Sequence, residues 1–387
     1  MIIKRNGDKV PYDKNKVFIA VEKAFKEVYP NESTNTKKSK KIADYVDAMI
    51  QNSEKEDISV EEIQDMVEDI LMIKNKPVAK AYIRYRYKRQ MARNTTDDTI
   101  MELLGGKNEY WNTENSNKDA NIVTTQRDYI AGITSKDITR RYLLSDDIVK
   151  ADEEGIIHFH DSDYFIQPIS NCCLVNLEDM LQNGTVINKK MIEKPHRFIT
   201  AMTIATQIIT AVASSQYGGT SINLSHLTPF VRDSFNYHKD KYLKRGFNDE
   251  DSYIYALQDT QKEIEDGVQT FNYQINSMST TNGQTPFISV FMYLSDNPEY
   301  ENETAMVITE FLKQRIKGIK NEAGVYVTQE FPKLLYVLEE KNIREDSKYY
   351  SITELAAKCN AKRLAPDYIS EKKMIEYKNG DVYGCMG

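Results

Sequence analysis

The chain has 387 residues, 40% of them hydrophobic and 28% charged, with a net charge of −7, a globular composition and not a disordered or fibrous one. That length exceeds one ordinary core and favours two or three domains. No stretch approaches the roughly 20 uninterrupted apolar residues that cross a bilayer, Met1-Ile2-Ile3-Lys4-Arg5 lacks the apolar core of a secretory signal, and the acidic balance argues against bulk nucleic-acid binding. The expectation is a cytoplasmic protein with neither a membrane nor a nucleic acid as partner.

From the amino terminus, Asn6-Gly7 between Ile2-Ile3-Lys4-Arg5 and Lys9-Val10 predicts a β-hairpin. Asp13 is placed to cap a helix with Val17, Val21, Phe25 and Val28 on one face, and Ile42, Val46, Met49 and Ile50 mark a second helix. Ser59-Val60-Glu61-Glu62 is a capping box ahead of a third, carrying Ile63, Met66, Val67 and Ile70. Pro77 suits the first turn of a fourth, which interleaves Tyr82, Tyr85 and Tyr87 with Lys80, Arg84, Arg86, Lys88, Arg89 and Arg93. Such a helix is either a solvated basic face or, beside a cationic hairpin, one wall of a polyphosphate site with rings to stack on a base. The whole arrangement of residues 1–93 resembles the ATP-cone, a regulatory domain with a Lys-Arg-x-Gly hairpin and four helices. The resemblance implies that Lys4, Arg5, Lys9 and Lys16 contact phosphates, that Tyr82 faces the base, and that ATP and dATP act as opposing allosteric effectors.

Residues 94–121 are rich in Asn, Thr, Asp and Gly and read as a linker with one short helix around Ile100–Leu104. Beyond it, strand-like runs alternate with longer helical ones, an α/β pattern. Ile156-Ile157-His158-Phe159-His160 reads as a strand that projects both imidazoles to one side. Two such histidines can bind a metal, satisfy buried carbonyls or hydrogen-bond a substrate; no third ligand follows at a fitting spacing, so the expectation is substrate contact and no metal.

Cys172 and Cys173 follow Asn171, and in an extended segment only one thiol can face a given cavity; which one stays open, as does the reading of both as small buried hydrophobes. With no Cys-x-x-Cys among the four cysteines, neither a disulfide framework nor a zinc site is expected. Residues 198–213 form a Thr- and Ala-rich helix that Gly218-Gly219 is expected to end in a left-handed cap. A helix over 252–276, a doubly buried strand within Pro286–Leu294, a helix over 304–319, a strand at Lys333–Leu338 and a helix over 352–363 carrying a core Cys359 complete the order.

His158-Phe159-His160-Asp161, Asn171-Cys172-Cys173, Ser214-Ser215-Gln216-Tyr217-Gly218-Gly219, Asn282-Gly283-Gln284-Thr285-Pro286-Phe287 and Tyr383-Gly384-Cys385-Met386-Gly387, in that order, resemble the anaerobic class III ribonucleoside-triphosphate reductases, which also carry an amino-terminal ATP-cone. The fold class is then α/β: an α+β ATP-cone of a hairpin and four helices (1–93), a linker (94–121), and residues 122–387 as an incomplete ten-stranded α/β barrel of the glycyl radical enzyme type. The resemblance implies radical reduction of ribonucleoside triphosphates to deoxyribonucleoside triphosphates. Cys172 or Cys173 would be the strand cysteine, with His158 and His160 at the active site, a radical-SAM activase as partner, and a homodimer.

The Met-Gly-Cys-Arg finger loop of the family is met only as far as Met386-Gly387, and the glycyl radical and the zinc-binding cysteines would lie beyond. The expectation is an amino-terminal part that does not turn over alone. The alternatives are a nucleotide-binding regulatory module without catalysis of its own, or another glycyl radical enzyme.

Overall fold

The computed structural model describes residues 1–3, 9–53, 55–91, 118–119, 121–281 and 283–383. The chain divides into two compact units, residues 1–108 and 109–387.

In the first unit Ile2–Ile3 and Lys9–Val10 pair antiparallel, with Ile2 opposite Val10; the Asn-Gly turn lies outside the described residues. A third strand, Ile58–Ser59, pairs parallel with the first, and two residues are too short to announce themselves by alternation. Four helices follow the predicted order, Lys14–Val28, Asn35–Gln51, Val60–Lys74 and Lys76–Met91. Asp13 accepts the Asn15 N–H at 3.0 Å. Ser59 Oγ accepts from Glu62 N at 3.1 Å while the Glu62 carboxylate accepts from Ser59 N at 2.8 Å, so two amides that the first helical turn cannot satisfy find partners. Val21, Phe25, Val46, Val67 and Leu71 close a core of their own. Met49 stands outside it, 43% exposed.

In the second unit, Cys173–Leu174, Thr220–Asn223, Ile288–Met292, Lys333–Leu338 and Asp367–Ser370 form one sheet in that spatial order, parallel throughout. Spatial order follows chain order, so every right-handed crossover steps the same way and returns its helix to the same face. The helices Phe198–Ala213, Asp249–Ser277, Glu301–Lys317 and Tyr350–Arg363 pack there, sharing a core with Ile222, Ile288, Val290, Met292, Leu334 and Tyr336. The alternate strand residues Ser221, Ser289, Phe291 and Val337 lie outside that core and point to the other face. No described helix is long and apolar enough to cross a membrane.

Two sequence expectations give way. Residues 156–160 are bends and turns, not a strand: Gly155 and Asp161 take positive φ of 71° and 56° at either end, and the Phe159 N–H is taken by Asp152 Oδ1 at 3.0 Å, not by a neighbouring strand. Gly218-Gly219 is no left-handed cap either, since the preceding helix ends at Ser214 with φ −74°. Gly218 serves a close approach instead; a Cβ there would sit 2.0 Å from Asn171 Oδ1. The predicted linker and its short helix fall outside the described residues, apart from Lys118, Asp119 and Asn121.

Candidate functional site

The face of the sheet opposite the four core helices, on which Ser221, Ser289, Phe291 and Val337 are buried, carries the convergence of motifs at its Cys173–Leu174 edge. Cys173 pairs with Thr220 across the first two strands, and just ahead of that pairing Gly218 N donates to Asn171 O at 2.7 Å. The absence of a side chain at Gly218 is what lets the two backbones meet. Cys172 and Cys173 then point oppositely, as extended neighbours must. Cys173 is half-buried and packs against the helical core; burial pushes its thiol up in pKa, against a hydrogen bond to Thr220. It lines a cavity of about 330 Å³ with Met180, Ile208 and Gln216.

Cys172 is exposed. Its thiol donates to Asn171 Oδ1 at 3.3 Å, and Gly219 N donates to its Sγ at 3.3 Å. The sulfur is thus oriented by one side-chain acceptor and one backbone donor. Buried Gln216 steadies the turn, donating to Thr220 Oγ1 at 2.6 Å and to Gly218 O at 3.2 Å.

The two predicted histidines stand together but do not form an in-register pair on a strand. Their rings meet edge to face, with centroids 5.6 Å apart, and their side chains are 80% and 70% exposed. His158 Nδ1 lies 3.8 Å from Asp152. His160 Nδ1 lies 2.5 Å from Asp161 Oδ2, and that same carboxylate oxygen accepts from the Tyr217 phenol. The Tyr217 ring stacks on Tyr164, centroids 4.1 Å apart. Burial pushes the Tyr217 phenol up to about 12, and the Asp161, Asp163 and Cys172 charges act the same way. Asp161, Tyr164 and Tyr217 were not among the predicted site residues, although two of them sit inside the motifs quoted above. Among the described residues no three His, Cys, Asp or Glu side chains are grouped to hold a metal. Cys359 is buried in the core, its thiol pushed up to about 11 by burial. Cys385, Met386 and Gly387 lie outside the described residues.

The first unit has a separate cleft. Lys16 and Tyr82 line a cavity of about 190 Å³ with Tyr12, Asp13 and Gln64. Tyr12 Oη is buried there without a hydrogen-bond partner, and burial pushes the Tyr82 phenol up to about 12. Lys9 is held by Asp57 at 2.5 Å; Lys4 and Arg5 lie outside the described residues. The cations of the fourth helix divide: Arg86 pairs with Asp65 and Glu68 at 2.5 and 2.9 Å, while Lys80 and Arg84 line another groove with Glu27 and Lys76.

A family model described as anaerobic ribonucleoside-triphosphate reductase matches residues 114–387, and one for the ATP cone domain matches residues 1–91. The anaerobic ribonucleoside-triphosphate reductase of Haemophilus influenzae is 34% identical over 383 residues, 97% of this chain and 52% of the relative. That of enterobacteria phage T4 is 39% identical over 283 residues, 72% of this chain and 45% of the relative. A solved structure of the anaerobic ribonucleotide reductase from Thermotoga maritima in complex with dATP and CTP covers 65% of this chain and 43% of its own, at 13% identity and a TM-score of 0.46. The chain spans about half the length of the relatives it matches.

Proposed function

Since the chain belongs to the anaerobic ribonucleoside-triphosphate reductase family, we propose that its second unit supplies one wall of a reductase active site, with ribonucleoside triphosphates as substrate and Cys172 as the strand cysteine. The observation that carries this choice is the placement of the two thiols. Cys172 lies on the face opposite the core helices, exposed and oriented by Asn171 and Gly219 N–H, whereas Cys173 turns into the packing behind the sheet. The five parallel strands are half of the ten-stranded barrel that the family resemblance implies. In that reading Cys172 delivers a hydrogen atom to the ribose as the 2′ hydroxyl leaves as water, and His158 and His160 stand at the ribose end. In that reading a glycyl radical starts the reaction, with a radical-SAM activase and a second copy of the chain as partners.

The first unit is proposed to bind ATP and dATP as effectors. What it offers fits a nucleotide: the Lys16 cation for phosphate, an unpartnered Tyr12 hydroxyl as hydrogen-bonding group, and the Tyr82 ring at one wall. Lys4, Arg5 and Lys9 would complete the phosphate side from the hairpin.

The test uses the complete reductase that contains this chain. Cys172→Ser should abolish dCTP formation from CTP under anoxia, while Cys173→Ser retains most of it. Loss of activity with Cys173→Ser and its survival with Cys172→Ser would reverse the assignment.

A further inference from the structure

We propose that Asp161 is a positioning residue of this site. Its carboxylate holds the His160 imidazole against the Tyr217 phenol, two residues before the Gly219 that bonds the Cys172 sulfur, leaving His160 Nε2 as the nitrogen offered to a substrate hydroxyl. Three observations meet in the one side chain. Asp161 Oδ2 is shared by His160 Nδ1, 2.5 Å away, and by the Tyr217 hydroxyl. Tyr217 cannot drift, because its ring is stacked on Tyr164 at an interplanar angle of 11° and its backbone leads directly into Gly218 and Gly219, the latter bonded to the Cys172 sulfur. And Asp161 adopts a φ of 56°, a left-handed backbone that costs any residue with a Cβ, though Asp less than most.

That backbone closes a turn in which Tyr164 N donates to Asp161 O at 3.0 Å, and it sets the carboxylate, 29% exposed, between His160 and Tyr217. The His160 side chain is 70% exposed, and a contact that exposed adds little to folding. Strained backbone held for an exposed contact is what functional sites show. The chemistry follows from the partner. A carboxylate that accepts a hydrogen bond from the Nδ1–H of a neutral imidazole fixes the tautomer and leaves Nε2 as an acceptor. A ribose hydroxyl is a donor that this nitrogen can take. The hydroxyl-bearing substrate rests on the functional reading above; the tautomer and the anchoring do not.

The experiment is long-range proton–nitrogen correlation spectroscopy on the 387-residue chain labelled at histidine nitrogens, at a pH where His160 is neutral. Wild type should show His160 protonated at Nδ1. Asp161→Gly keeps a residue at ease with positive φ while removing the carboxylate, and should return His160 to the Nε2-protonated form that free histidine prefers. Asp161→Asn, which keeps an acceptor but not the charge, should fall between, and serves if the glycine variant does not fold. An Nε2-protonated His160 in wild type, or a tautomer indifferent to both substitutions, would overturn the proposal. In the complete reductase, adding CTP should shift the wild-type Nε2 signal. A correct tautomer that CTP leaves untouched would remove the nucleotide reading while the role of Asp161 stood, so the two failures are distinguishable.

Discussion

Neighbouring residues here live in different surroundings. Cys172 meets water and two polar groups; Cys173 is raised in pKa by burial, and Cys359 is raised further, to about 11, inside the core. Because the thiolate is the reactive species, iodoacetamide near neutral pH should label Cys172 well before Cys173 and Cys359. Peptide mapping over a time course checks this, and a Cys173-first order would contradict the orientation described. In the first unit, Asp57 occupies the Lys9 ammonium at 2.5 Å and is itself held below the usual carboxylate range by it. If Lys9 serves phosphate, Asp57 competes with it. An exposed pair of this kind is weak, so Asp57→Asn should tighten ATP binding only modestly, by about two- to fivefold in calorimetry, whereas Lys9→Gln should weaken it. Both cysteines and both histidines stand out as candidates from residue type and neighbours alone. The Asp161–Tyr217 contact could not, because it joins residues 56 apart and no local periodicity carries such a pairing.

At the scale of elements, legibility tracked how many neighbours a segment has to satisfy. Lys333–Leu338 and Phe198–Ala213 occur over the residues that their apolar content predicts, since a central strand or helix must be apolar along its length. Ile156–His160 alternates well enough to be mistaken for a strand, yet Ile156 is 71% exposed, and without a partner strand the alternation has nothing to act on. The edge strand Cys173–Leu174 spans only two residues, too few for any pattern. Caps were readable because their chemistry is local. Ser59→Ala should cost about 1 kcal/mol, seen as a lower denaturation midpoint of the first unit. Gly218→Ala is more severe: its Cβ would fall 2.0 Å from Asn171 Oδ1 and 2.4 Å from Asn171 O, and overpacking of this sort costs roughly 1–3 kcal/mol. A melting temperature of Gly218→Ala equal to wild type would show that the Asn171 turn yields freely.

Over the whole molecule, each unit has its own apolar core, and the second is tied together by a buried carboxylate. Glu263 accepts from Arg197 at 2.5 Å, His238 at 2.9 Å, Ser234 at 3.0 Å and Ile199 N at 3.2 Å. Burial alone would raise its pKa, but the hydrogen bonds from Arg197, His238 and Ile199 outweigh that and hold it below the ordinary value. A depressed carboxyl stabilises the fold above the unfolded pKa, about 4.3 for Glu, and that contribution is lost as pH falls through the folded value. Thermal melts of the chain from pH 6 down to 3 should therefore show the second unit weakening below about pH 4.3. Glu263→Gln should be less stable at pH 6 and flatter across the same range; an unchanged slope would assign the acid lability elsewhere.

The one-way winding of the sheet separates two duties that most enzymes must reconcile within the same residues. The four core helices pack on one side, while at the sheet's edge Cys172 and the 54%-exposed Leu174 look out from the other, whose more central positions Ser221, Ser289, Phe291 and Val337 are buried. Substitution at those two exposed edge positions therefore removes little buried surface, so their side chains are free to answer to whatever lies against them.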